Sequence, residues 1–209
     1  MMSSRPRRPT YLVAALVVAW ILGVGGIMGG CETLRYYRGP DTTAVEAHKP
    51  TEEGMARYFA EQWRATREAQ VKALDEYRDR MIPLAVANVV LSSLLVVACA
   101  RALASKFNAH NLALQAVAAT ILYTIVDCFV SDPMRHAMIT AAAAIPAPSA
   151  PQPADPAEIT ATISAVSWAG RMVFAVKVGV LGLVAYALTR PNVVAFFQYV
   201  NRDRQSDEA

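Results

Sequence analysis

The chain has 209 residues, of which 55% are hydrophobic and 18% charged, a composition too apolar for an ordinary soluble domain. Its formal net charge is only +3 and its basic residues are mixed with acidic ones, which argues against a nucleic-acid-binding surface. The apolar residues are concentrated in four blocks, at 11–30, 82–100, 112–130 and 168–188. Each block approaches the ~20 residues that a helix needs to cross ~30 Å of hydrocarbon.

Backbone groups in lipid must bond within their own segment, so the four blocks predict four transmembrane helices. The predicted fold class is therefore all-α. We expect a polytopic membrane protein, a four-helix bundle that also carries a long amphipathic extramembrane helix.

A basic N-terminal tail, residues 1–10, contains three arginines and no acid. The first block, 11–30, has no charged residue. We expect it to be an uncleaved anchor, because it is longer than the roughly 7–15 apolar residues of a signal peptide. Cleavage is the alternative, and Met28–Cys31 loosely resembles the processing and lipidation site of a bacterial lipoprotein.

Two glycine pairs lie near the end of this block, Gly25 with Gly29 and Gly26 with Gly30. Small residues spaced four apart share one helix face, where a second membrane helix can approach closely. Glycine is also simply tolerated in membrane helices, so the motif alone does not identify a contact.

The segment 31–81 is an extramembrane arm, irregular up to residue 53 and periodic beyond it. Residues 54–81 carry charged and apolar side chains with the period of an amphipathic helix. The apolar stripe includes Phe59, Trp63 and Tyr77. It would be covered by the chain's own outer loops, by the membrane surface or by a partner protein.

The second and third blocks, 82–100 and 112–130, are joined by a short loop, 101–111. Pro83 stands at the start of the second block, where it would kink a continuous helix or begin a new one. After the third block, Ser131-Asp132-Pro133 has the pattern of a helix cap followed by a first-turn proline. We therefore expect a new, short helix at the start of an Ala/Pro-rich extramembrane loop, 131–157.

The fourth helix is predicted to start at Pro156, because Asp155 before it can cap the helix. The helical segment 158–188 contains the fourth transmembrane span. The C-terminal tail, 189–209, is expected to form a short helix at the membrane interface.

Four spans put both termini on the same side of the membrane. Basic residues are dense on that side, so the termini are predicted to be cytoplasmic. The expected location is the bacterial inner membrane, with the mitochondrial inner membrane as the alternative.

Three polar residues are predicted to lie at similar depth near one membrane face: Asn88, Asp127 and Arg171. An ion pair between Arg171 and Asp127, with Asn88 as a hydrogen-bonding neighbour, would make both charges less unfavourable in the membrane. Such a cluster would be structural, or it would form a proton or ion pathway. Each polar residue shares its helix face with small residues that are expected to pack against other helices. Asn88 shares its face with Ala85, Ser92 and Cys99, Asp127 with Ala116, Thr120 and Thr124, and Arg171 with Ala175, Gly179 and Gly182.

Lys177 is close to the middle of the fourth span and shares its face with Val173, Leu181, Val184 and Leu188. That face has the composition of a lipid-facing surface, where a lone ammonium is not expected to rest. Lys177 would turn into the bundle, contact a second subunit or snorkel to the interface, or it would be neutral with a lowered pKa. No acid is predicted at the same depth, which favours the second subunit.

Catalytic and metal-binding motifs are not found in the sequence, and the chain is not expected to be an enzyme or to hold a cofactor. Cys31 and Cys128 are both predicted near the outer face, where an oxidising compartment would allow a disulfide.

The expected function is that of a non-catalytic accessory or scaffold subunit of a membrane complex. Its partners would be the lipid bilayer and other membrane subunits, contacted through Lys177, Phe59, Trp63 and Tyr77, with no nucleic acid. The alternative is a small ion or solute transporter or channel that uses the polar cluster.

Overall fold

A computed structural model describes residues 8–38, 68, 71–72, 75–143 and 156–207. The secondary structure in these residues is entirely helical, which confirms the predicted all-α class. There are five helices: α1 (Thr10–Arg38), α2 (Arg78–Leu103), α3 (Ala109–Ala143), α4 (Pro156–Thr189) and α5 (Pro191–Asp207).

Four of these helices are long and apolar enough to cross a membrane. Their candidate spans are Thr10–Tyr37, Arg78–Leu103, Ala109–Thr140 and Ile163–Thr189. At 1.5 Å per residue each measures about 39–48 Å and exceeds the ~30 Å of hydrocarbon. The chain is thus an integral membrane protein by the length and composition of its helices, and the helix ends extend beyond the lipid core.

Two helices continue past the points where the sequence suggested an end. The helix α1 runs on to Arg38 through a segment that was predicted to be irregular. The helix α3 is continuous through Pro133, so the expected new helix at Ser131 is not formed. Pro133 lacks the N–H that would bond the carbonyl of Phe129 four residues earlier, yet α3 continues through it. Nearby, Arg135 donates to the backbone carbonyl of Asp127.

Most of the predicted amphipathic helix 54–81, including Phe59 and Trp63, lies outside the described residues. Its C-terminal end is described. There Tyr77 is half-buried in a turn, and α2 starts one residue later and contains Pro83.

The chain divides into two compact units. Unit 1 comprises Met1–Glu32, Ala85–Val126 and Ala175–Ala209. Its core consists of aliphatic side chains, alanines and two phenylalanines, among them Leu16, Leu95, Val117, Leu181, Leu188, Val193 and Phe197. The apolar face of α5 is therefore packed inside unit 1.

Unit 2 comprises Thr33–Leu84 and Asp127–Phe174. Its core is small and consists of Tyr37, Met81 and Met134, with Tyr77 packed against them. Tyr77, one of the residues predicted to contact a partner, thus packs within its own unit.

The ends of several helices meet at one end of unit 1, here called the polar end. Arg8 Nη2 donates to the carbonyl of Ala102 at 2.6 Å, and His110 Nε2 donates to the carbonyl of Leu188 at 3.0 Å. The backbone N–H of Asn108 donates to Asn201 Oδ1 at 3.4 Å. Side chains thus satisfy helix-end carbonyls that have no partner within their own helix.

Candidate functional site

The first candidate site is a polar ladder along α3, formed by Asp127, Ser131 and Arg135. These residues are four apart and therefore share one helix face. Ser131 Oγ lies 2.8 Å from Asp127 Oδ1, and Arg135 Nη2 donates to Ser131 Oγ at 2.7 Å and to the carbonyl of Asp127 at 3.3 Å. The side chains of Asp127 and Arg135 are only 22% and 25% exposed, with 4.0 Å between their charged atoms.

Arg135 also connects α3 to α4. Its guanidinium carbon lies 4.1 Å from the ring centroid of Phe174, within the range of a cation–π contact. The free-energy cost of burying the two charges is offset by their mutual attraction and by hydrogen bonding to the Ser131 hydroxyl between them. Sequence reasoning missed Arg135, Ser131 and Phe174, although the spacing 127, 131, 135 would have indicated the ladder had α3 been taken as continuous.

Arg171 has a different ion-pair partner from the one predicted. Its Nη2 lies 3.6 Å from Asp132 Oδ2, and both side chains are well exposed, at 60% and 49%. Asp127 and Asp132 are five residues apart and point about 140° away from each other around α3. Asp127 is paired on its own helix, which leaves Asp132 as the acid that faces Arg171.

Asn88 makes its contacts within unit 1. Its Nδ2 donates to the carbonyl of Gly26 at 3.1 Å, and its Oδ1 accepts from Ser92 Oγ at 3.2 Å. Asn88 thus joins α2 to α1. The three residues of the predicted cluster each have partners within their own unit, and the cluster as a joint site stays a prediction.

A cleft of ≈40 Å³ lies beside the charged residues of unit 2. It is lined by Asp132, Arg135, His136 and Arg171 together with four less polar residues. Such a volume holds water but no larger solute.

The two glycine pairs of α1 have different environments. A Cβ added at Gly30 would lie 2.7 Å from Val89 Cγ2 and 3.1 Å from the carbonyl oxygen of Ala85, and a Cβ at Gly26 would overlap Ser92. A Cβ at Gly25 or Gly29 would meet no atom within 4 Å. One pair therefore allows the close approach of α2, and the other faces outward.

Of the three small-residue faces that were predicted to pack, two are buried. On α2, Ser92 and Cys99 are inside, and on α3 the residues Thr120 and Thr124 are inside. On α4, Ala175, Gly179 and Gly182 are exposed, so this face does not pack within the described chain, and its contact with another helix stays a prediction.

The opposite face of α4 is the buried one. Leu181 and Leu188 have no exposed surface, and Val184 is 2% exposed. Lys177 shares this inward face, is half-buried, and has a polar interaction within the chain. This position corresponds to the alternative in which Lys177 turns into the bundle, and its contact with a second subunit stays a prediction.

The three cysteines are free thiols, and the predicted Cys31–Cys128 disulfide is not formed. Cys31 is exposed and lies within α1, and Cys128 is partly buried. In the described part of the chain, no three His, Cys, Asp or Glu side chains are gathered as in a metal site.

Comparisons of the chain with protein-family models, with curated proteins and with solved structures found no match.

Proposed function

We propose that this chain is a non-catalytic accessory or scaffold subunit of a larger membrane complex, with both termini in the cytoplasm. A transmembrane helix of a partner subunit packs on the outward face of α4, here called the small face and defined by Ala175, Gly179 and Gly182. The proposal rests mainly on the exposure of this small face, in contrast to its buried counterparts on α2 and α3.

No hydrophobic driving force brings helices together in lipid, because lipid tails are as apolar as the helix surface. Helices associate there through close packing, which small side chains permit. Gly179 and Gly182 lie three residues apart, and a Cβ at either would meet no atom within 4 Å. A partner backbone can therefore approach α4 closely along this face.

The polar residues of the described chain support a structural role rather than a transport path. Asp127 and Arg135 are bonded to each other through Ser131, and Asn88 is bonded to α1. A transport path needs polar groups that exchange partners with the moving ion. The cytoplasmic orientation is supported by the sequence of the terminal segments and of the short loop: 1–10, 101–111 and 189–209 together contain eight Arg and Lys and three acids.

The arm 54–81, with Phe59 and Trp63, is proposed as a second, extramembrane contact. The support for it is the apolar stripe of the sequence, which has the period of a helix surface that binds a partner.

Cysteine crosslinking in native membranes tests the small face. In a full chain whose three native cysteines are replaced by alanine, Gly179→Cys and Gly182→Cys should each form one adduct of the same defined mass with a short bifunctional reagent. The matched controls are Val176→Cys on the flank of α4 and Leu122→Cys on α3, which occupy positions that are 62% and 65% exposed. They should give little or none of this adduct.

Two outcomes would contradict the proposal. An adduct of twice the chain mass would show a homodimer, and equal labelling at all four positions would show unspecific collision in the membrane. If the purified chain alone also moved ions across liposomes, and Asp127→Asn abolished that flux, the transporter alternative would replace the proposed role.

A further inference from the structure

A second cleft lies at the polar end of unit 1, where α4 ends and α5 begins. It has a volume of ≈340 Å³ and is lined by Tyr11, Tyr186, Ala187, Arg190, Pro191 and Asn192. The guanidinium carbon of Arg190 lies 4.6 Å from the ring centroid of Tyr186, so the tyrosine holds the arginine at the cleft. This cleft belongs to none of the polar networks described above.

The charge of the cleft is positive and uncompensated. Arg190 has no carboxylate partner among the described residues. Its neighbours at the polar end include Arg8 and exposed Arg101, Lys106 and Arg202. The segments 1–10 and 101–111 contain no acid, and the acids of the C-terminal tail, Asp203, Asp207 and Glu208, all follow Arg202. Arg8 is committed to the carbonyl of Ala102, whereas the guanidinium of Arg190 stacks on Tyr186 and has no side-chain hydrogen bond to another described residue.

The position of the cleft relative to the membrane is set by its residue types and by the helix ends. Tyrosines are enriched at the level of the lipid headgroups. Tyr11 is the second residue of α1, and Tyr186 lies three residues before the end of α4. Exposed aliphatic side chains follow toward the hydrocarbon, with Val18 two turns beyond Tyr11 and Leu183 nearly one turn from Tyr186.

We propose that this cleft binds the phosphate headgroup of an anionic phospholipid. Arginine offers a planar set of donors that fits phosphate oxygens in a bidentate manner, and the two tyrosine hydroxyls can donate to the headgroup as well. The acyl chains lie along the exposed aliphatic side chains of α1 and α4. Basic pockets between membrane helices on the cytoplasmic side are suited to such headgroups. This site does not depend on the partner helix proposed above.

The test uses the full chain in nanodiscs of phosphatidylcholine, with and without phosphatidylglycerol. Native mass spectrometry counts the retained phosphatidylglycerol, and the thermal midpoint reports its stabilisation. The wild type should retain the anionic lipid and melt at a higher temperature with it. Arg190→Gln should weaken retention about tenfold, because a charge-assisted hydrogen bond is lost. Arg190→Lys should fall between the two, because it keeps the charge but loses the planar donors.

The matched control is Arg202→Gln, which removes the same charge from an exposed position of α5 outside the cleft. It should change retention by no more than about twofold, as expected of an exposed charge. Equal midpoints of Arg190→Gln and wild type in pure phosphatidylcholine would show that the variant is folded. Equal retention by wild type and Arg190→Gln would overturn the proposal, as would an equal loss in Arg202→Gln, which would indicate only a diffuse basic surface. Displacement of the lipid effect by soluble glycerol phosphate would also overturn it, in favour of a free phosphate ligand.

Discussion

The two units of this protein hold their helices together by different means. Unit 1 has a large core of aliphatic side chains and alanines, and at Gly26 and Gly30 the backbones of α1 and α2 are brought close. In the described part of unit 2 the core consists of Tyr37, Met81 and Met134, and charge pairs lie on α3 and between α3 and α4. Added side-chain volume destabilises closely packed helices, whereas the loss of a charge destabilises an ion-pair network. Unit 1 should therefore be sensitive to side-chain size and unit 2 to side-chain charge.

The largest effect is expected at the inward glycines of α1. Gly26→Ala or Gly30→Ala should lower the free energy of unfolding by about 1–3 kcal/mol, because the new methyl group forces α2 away from α1. At Gly26 the movement also strains the hydrogen bond from Asn88. Thermal unfolding in a mild detergent measures the change.

The outward glycines supply the control on the same helix. Gly25→Ala should leave stability unchanged or raise it by up to about 1 kcal/mol, because alanine favours helix and its methyl group meets open space. Equal destabilisation at Gly25 and Gly26 would contradict the close-packing account of unit 1.

The charge network of unit 2 should give the next largest effect. Arg135→Leu removes the bonds to Ser131 and to the Asp127 carbonyl and leaves the Asp127 carboxylate without its cation. The free energy of unfolding should fall by about 1–2 kcal/mol. Arg135→Lys should lose less of the free energy of unfolding than Arg135→Leu but should not reach the wild-type value, because lysine cannot reproduce both the fork of donors and the stacking on Phe174.

The exposed pair of unit 2 is the internal comparison. Arg171→Leu should lower stability by less than about 0.5 kcal/mol, since both partners are largely in contact with solvent or headgroups. A double-mutant cycle should show weak coupling of Arg171 to Asp132 and none to Asp127. Coupling of Arg171 to Asp127 as strong as that of Arg135 to Asp127 would contradict this assignment of partners.

The spans could be predicted from sequence, because lipid demands ~20 apolar residues in a fully hydrogen-bonded helix and leaves few alternatives. The continuity of α3 could not. Proline usually marks a helix boundary, because it lacks an N–H and its ring crowds the carbonyl four residues earlier, yet α3 runs through Pro133.

The face of α4 that packs within the chain could not be predicted from the sequence either, and the cause is physical. In a soluble protein the apolar face of a helix is buried. In a membrane, lipid tails are as apolar as leucine, so leucine lies on lipid-facing and buried surfaces alike, and composition does not distinguish the two faces of a helix. The better signal was Lys177, whose charge needs a polar surrounding and which shares its face with the buried Leu181 and Leu188.

A further effect is expected at the connection between α2 and α3 in unit 1, where the backbone rather than packing or charge is under strain. Lys106 N–H donates to the carbonyl of Arg101 at 3.0 Å and Ser105 N–H to that of Ala102 at 3.1 Å, which is the bonding of a Schellman motif. The motif places Ser105 at φ 49, in the left-handed region that favours glycine. Ser105→Gly should therefore raise the free energy of unfolding by about 0.5–1 kcal/mol, measured by thermal unfolding in detergent. Ser105→Ala supplies the control, because alanine retains the Cβ and should give no gain. An equal gain from both substitutions would locate the effect in the lost hydroxyl group instead of in the backbone conformation.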